Sequence, residues 1–357
     1  MSVDNETYRR IADGLVKLPY ETWNFGDSIA FEALLAASDE LDDPRYASFA
    51  YGWIRGWATR AKPYRRLDCT APGLAMVHAA QRFDDGVILT AATELADYLM
   101  TRPLVDGVYA TWDRSPLLAP YGPGTLRGRY AALLADPPPG VFVDCLHFDP
   151  GYLVALGAAT GIQKYWRAGL DQAAGYVRLL QVDDGLFEHF VLAGEDGTFG
   201  PGWGRGQGWA LLGLLDVIEA SRGIDLGDAD HAAVDGLGAA AARLVAAMCP
   251  LQCSDGHWSA VVTDPDSGRE SSTAAFMAVG FRRALALDVI PAEQAATART
   301  AGDAAVGATR ATLDPDGTLL DVSAAVWACT EASHYSHVPR GFLVPWGQGP
   351  ALLALGS

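Results

Sequence analysis

The chain has 357 residues, half of them hydrophobic, and its 26 Lys and Arg against 43 Asp and Glu leave a net charge of −17. That deficit of cations argues against a nucleic-acid partner, because lysine and arginine supply most of the affinity for a phosphate backbone. The opening Met-Ser-Val-Asp-Asn-Glu-Thr-Tyr-Arg-Arg has no apolar signal core, no run reaches the about 20 apolar residues of a membrane span, and the odd cysteine count of 5 gives no disulfide framework, so a cytoplasmic protein without a membrane partner is expected.

Taken in chain order, apolar periodicity punctuated by Asp, Pro and Gly predicts helices near 4–17, 26–41, 44–61, 68–83, 86–101, 144–160, 163–180, 205–220, 229–248, 270–286, 291–308 and 340–355. Between the later pairs lie short alternating segments, each opened by Asp-Gly: Asp106-Gly-Val-Tyr, Asp184-Gly-Leu-Phe, Asp255-Gly-His-Trp and Asp316-Gly-Thr-Leu. These read as a turn followed by a short strand. Helix starts recur too, since Asp68-Cys-Thr-Ala-Pro72-Gly73 resembles Asp144 through Pro150-Gly151. Equal units repeated along a chain signal a closed or stacked array. Six helical hairpins closing into a ring give an all-α (α/α)6 barrel, with short β-hairpin segments in its loops. One domain over residues 1–357 is expected, with inner helices starting near 26, 68, 144, 205, 270 and 340 and sharing one end of the ring.

That shared end collects the unusual residues: Trp23, Asp27, Asp68, Asp144, Glu270-Ser-Ser272 and Trp346-Gly-Gln348, with His189 just upstream of Trp203-Gly-Arg205-Gly-Gln207-Gly-Trp209. Indoles that stack on a pyranose face, carboxylates, a histidine and an arginine at a helix N-terminus suit a sugar carrying an anionic group. Each has a plainer reading as well. Asp68 and Asp144 are placed to cap helices, His189 to be a hydrogen-bonded wall residue, and the Gly-rich stretch to be a packed turn. The His334-Tyr-Ser-His337 stretch could reach over the pocket to the leaving sugar but reads more simply as a solvated loop, and Cys249-x3-Cys253-x3-His257 lacks a fourth ligand for zinc.

Read together, Trp23-Asn-Phe-Gly-Asp, Asp68 with Pro72-Gly73, Val143-Asp144, Leu186-Phe-Glu-His189, the stretch from Trp203 to Trp209, Glu270-Ser-Ser-Thr273 and Gly347-Gln-Gly-Pro-Ala-Leu-Leu-Ala354 resemble glycoside hydrolase family 105, the unsaturated rhamnogalacturonyl hydrolases, and more distantly the unsaturated glucuronyl hydrolases of family 88. The resemblance implies a barrel that removes a 4,5-unsaturated uronic acid from the non-reducing end of lyase-generated oligosaccharides. It implies that Asp144 protonates C4 while water adds at C5, which is vinyl-ether hydration rather than displacement at the anomeric carbon. Apolar walls and a second carboxylate favour the proton such an acid must carry, and Asp68 is the candidate neighbour. By the same resemblance His189 contacts the sugar or the water, Arg205 takes the uronate carboxylate, Gln207 reads the sugar, and Trp203 and Trp209 wall the ring, with no metal and no organic cofactor. The chain departs from the family pattern at Cys145-Leu146-His147-Phe148, where His147 is an added titratable group, and at Gln207, where asparagine is common. A conventional glycosidase, a sugar epimerase and a non-catalytic sugar-binding protein are the alternatives on the same barrel.

Overall fold

The computed structural model describes residues 4–20, 25–60, 72–112, 117, 121 and 128–356. Its helices are α1 Asn5–Val16, α2 Asp27–Glu40, α3 Pro44–Ala58, α4 Gly73–Arg82, α5 Gly86–Leu99, α6 Arg129–Ala135, α7 Cys145–Phe148, α8 Pro150–Thr160, α9 Gln163–Leu180, α10 Gly204–Ser221, α11 Asp228–Met248, α12 Ser271–Ala286, α13 Ala292–Ala311, α14 Ala332–Ser336 and α15 Pro345–Leu355. Packing follows a ring: α2 on α4, α4 on α8, α8 on α10, α10 on α12, α12 on α15, and α15 back on α2. These six helices are apolar almost all round, as helices enclosed on every side must be. The outer layer of α1, α3, α5, α9, α11 and α13 covers them. The chain is therefore the expected (α/α)6 barrel.

Differences from the periodicity have local causes. The expected helix 144–160 is two helices, because Pro150 opens α8 and its ring cannot continue the hydrogen-bond ladder of the turn before it. Helices α6 and α14 were not foreseen, being too short to show a period. Residues Asp228–Leu251 are long and apolar enough to cross a membrane, where the sequence predicted no such helix. Their apolar side, Leu237, Ala241, Leu244 and Met248, is buried against neighbouring barrel helices.

The Asp-Gly turns tie one hairpin to the next. Two-stranded antiparallel pairs form between β1 Leu104–Val105 and β2 Val108–Tyr109, β3 Gly140–Phe142 and β4 Phe190–Leu192, and β5 Ser259–Val261 and β6 Asp264–Arg269. Gly185 has φ +92°, and a Cβ there would meet the Arg243 carbonyl of α11; Gly256 lies likewise against Ala304 of α13, and Gly317 against Arg10 and Ile11 of α1, which closes the ring. Glutamines clamp these turns. Gln181 Nε2 donates to Gly185 O and Ala240 O, and Gln252 Nε2 donates to Gly256 O and Ala301 O.

Candidate active site

At the N-terminal ends of the inner helices lies a cavity of about 150 Å³, walled by Phe25, Thr111, Trp112, Leu117, Phe142, Phe148, Trp203 and the segment 325–328, with Asp144, Cys145, His189 and Arg205 as its ionisable groups among the described residues. The lining is mostly apolar, which strengthens any charge interaction inside it.

Asp144 precedes the single turn of α7, yet its side chain caps nothing. Its carboxyl is 18% exposed, and Oδ2 lies 3.6 Å from His189 Nε2. The plainer capping role therefore goes unused at Asp144, whereas Glu270 does cap α12 by accepting from Thr273 N at 3.1 Å.

His189 is placed by the β3–β4 pair, in which Val143 N donates to His189 O at 2.8 Å. Its ring is buried against Trp203, with centroids 4.3 Å apart, and meets Phe142 edge-on. Nδ1 is hydrogen-bonded to the Tyr335 hydroxyl at 2.7 Å. The stretch expected to be a solvated loop thus includes α14 and plants a buried tyrosine behind the histidine.

Arg205, one residue into α10, is 1% exposed. Nη1 lies 3.3 Å from Glu270 Oε1 and donates to Ser323 Oγ at 2.6 Å, while Nη2 donates to Ala324 O at 2.9 Å. Its guanidinium sits 5.2 Å from the Trp203 ring centre and 5.9 Å from that of Trp346. Burial works against the charge on Arg205 and lowers its pKa, with Glu270 and Asp144 opposing. Burial pushes Glu270 up, but Arg205 and hydrogen bonds from Ser272, Ser323 and Thr273 outweigh it, so its carboxyl stays below the usual range. Arg205 Nε has no hydrogen-bond partner among the described residues.

Two residues expected on the sugar are elsewhere. Trp209 stands four residues, about 6 Å along the axis, below Arg205 on α10, fully buried between His147, Phe148 and Phe276 and off the cavity wall. Gln207 is also off the wall: it accepts from Phe187 N and donates to Phe187 O, both at 2.8 Å. Gln348 holds Leu319 N and Gly317 O in the same manner, so the amide belongs to the barrel's repeated turn clamp. Even the alternating glycines serve packing, since a Cβ at Gly206 would strike the Trp203 ring and one at Gly208 the Phe276 ring. Asp68 and Trp23 lie outside the described residues.

The site also contains groups the sequence reading missed. Thr111 had a legible signal, because it stands five residues after the Asp106 turn as His189 stands five after Asp184, and both reach the cavity. Ser323 and the segment 325–328 had none, coming from irregular chain without a period, and Tyr335 lies in the five-residue α14, too short to show one.

The model of Glycosyl Hydrolase Family 88 matches residues 3–357. The chain belongs to this family. It is 22% identical to the unsaturated rhamnogalacturonyl hydrolase YesR of Bacillus subtilis (strain 168), over 99% of this chain and 95% of that protein. Among solved structures, a possible member of the GH105 family from Salmonella enterica serovar Paratyphi A superposes with a TM-score of 0.79 at 18% identity, covering 99% of this chain and 93% of that one. The unsaturated glucuronyl hydrolase of Bacillus sp. GL1 superposes with a TM-score of 0.71 at 18% identity, covering 98% and 96%. The family 88 chain described here is a glycoside hydrolase, and the cavity holding Asp144 is its candidate active site.

Proposed function

We propose that this hydrolase removes a 4,5-unsaturated uronic acid from the non-reducing end of lyase-generated oligosaccharides by hydrating the C4=C5 bond. The observation that carries the reading is Asp144, uncapped and partly exposed, facing His189 in an aromatic-walled cavity that also holds Arg205. In the first step the Asp144 carboxyl gives its proton to C4, and the cation left at C5 is stabilised by the ring oxygen. Water attacks C5 and returns a proton to the Asp144 carboxylate, which acts first as acid and then as base. The product is a hemiketal at C5. It opens, the neighbouring sugar departs as the free alcohol, and a 4-deoxy-5-keto uronate remains.

Trp203 walls the ring, and the Arg205 cation draws the uronate carboxylate towards the start of α10, where the helix dipole adds to the attraction. Gln207 and Trp209 act through the scaffold. Asp68 is proposed, by resemblance alone, as a carboxylate that holds the sugar or the water. The test is to digest uronate polymers with lyases, add the enzyme and follow the ultraviolet absorbance of the conjugated double bond. Loss of absorbance supports the reading. Release of sugar from saturated substrates with the double bond of unsaturated ones untouched points instead to a conventional glycosidase.

A further inference from the structure

Three buried groups form a file behind Asp144. Tyr335 Oη lies 2.7 Å from His189 Nδ1 and donates to the Cys329 carbonyl at 3.4 Å, and His189 Nε2 faces Asp144 Oδ2 at 3.6 Å. A tyrosine hydroxyl has one proton to donate, and a neutral imidazole has one donor and one acceptor nitrogen. If Tyr335 gave its proton to Nδ1, the Cys329 carbonyl would lose this donor. If instead Tyr335 donates to Cys329 O and accepts from Nδ1–H, every one of these groups is used, as buried polar groups generally are. Nε2 then presents a lone pair to Asp144.

We propose that Tyr335 is a positioning residue that fixes His189 as the Nδ1–H tautomer, so that Nε2 presents a lone pair rather than an N–H to the Asp144 carboxyl. The opposite tautomer would point Nε2–H at Asp144 and favour the carboxylate, which cannot protonate an alkene carbon. This rests on the proposed function for its catalytic meaning, though not for its tautomer. The separation of 3.6 Å is beyond a hydrogen bond but within reach of a small carboxyl rotation, and such contacts commonly tighten when substrate binds.

The surroundings agree. Tyr335 is held far above the ordinary phenol range by burial and by Cys329, Glu188 and Asp144, so its hydroxyl keeps its proton. Room for the file comes from Gly200, at φ +76°, where a Cβ would overlap both the Tyr335 hydroxyl and His189 Cβ.

The test is the side-chain ¹⁵N spectrum of the full-length enzyme labelled at histidine, with His189→Gln used for assignment. The proposal expects a protonated Nδ1 and a bare Nε2 for His189 across the active pH range. In Tyr335→Phe it expects a shift towards Nε2–H, and an alkaline limb of kcat/KM that moves to lower pH with KM little changed. A wild-type His189 protonated at Nε2, or a Tyr335→Phe profile that superposes on wild type, overturns it. Because the spectrum needs no substrate, failure of the substrate assignment would leave the tautomer result standing, and the two are separable.

Discussion

The guanidinium of Arg205 and the carboxylate of Glu270 lie 3.3 Å apart at the cavity end of the barrel, with side chains 1% and 2% exposed. Breaking such a pair by removing one partner leaves a buried, uncompensated charge and typically costs about 3–5 kcal/mol. Glu270→Gln is therefore expected to lower the unfolding midpoint in denaturant clearly, beyond any effect on turnover. A midpoint within error of wild type would show that the pair contributes little to the fold.

Arg205 carries a second expectation. If its cation draws the uronate carboxylate, the enzyme should discriminate against the methyl ester of the same substrate, which lacks the charge. Arg205→Lys keeps a positive charge but loses the planar fork. We expect its kcat/KM on the free acid to fall about tenfold or more, equivalent to roughly 1.4 kcal/mol, with the acid-to-ester ratio narrowing. Steady-state kinetics on both substrates check this, and an unchanged ratio would assign Arg205 to structure alone.

Gln207 gives the reverse pattern. Its amide closes two hydrogen bonds on the backbone of Phe187, and a buried group left unsatisfied costs about 1–3 kcal/mol. Gln207→Leu should lose stability by that order in chemical denaturation while KM stays near wild type. A large rise in KM without loss of stability would return Gln207 to the sugar.

A pH dependence follows from the opposite end of the ring. Glu32 is pushed up to about 7 by burial, which Asp216 reinforces and His147 and Arg283 oppose. Burial opposes the charge on His147, but Glu32 and Asp216 outweigh it and raise its pKa. For both groups the folded chain binds a proton that the unfolded chain releases at lower pH. Their contribution to stability is fully present below the unfolded values, 4.5 for Glu32, and is lost as pH rises through the folded ones. Glu32→Gln removes the larger cost of ionising that carboxyl, so its melting temperature should exceed wild type at pH 8, by about 2 °C or more, with the gain disappearing by pH 4. Calorimetry at the two pH values decides it, and a gain larger at pH 4 would contradict the sign.

What could be read in the sequence follows from where the physics is periodic. Twelve amphipathic or wholly apolar helices and four Asp-Gly turns are local signals, and they were enough to predict the ring. The family motifs located Asp144, His189, Trp203 and Arg205 at one end. Depth along an inner helix was harder to read, because Arg205, Gln207 and Trp209 look alike as unusual residues beside glycines, and only packing separates the cavity wall from the layer beneath it. Ser323 comes from irregular chain and Tyr335 from the one-turn α14, and their positions are set by tertiary contacts with Glu270 and Cys329.

The central claim is that Asp144 delivers a proton to the alkene carbon. Its most direct measurement is the decay of double-bond absorbance on a lyase-generated unsaturated oligosaccharide, comparing wild type with Asp144→Asn at matched folding by circular dichroism. The account predicts rapid decay for wild type and a loss of at least about 10³-fold in kcat for the variant, because the amide cannot supply the proton. Decay at the wild-type rate in a folded Asp144→Asn enzyme would contradict it.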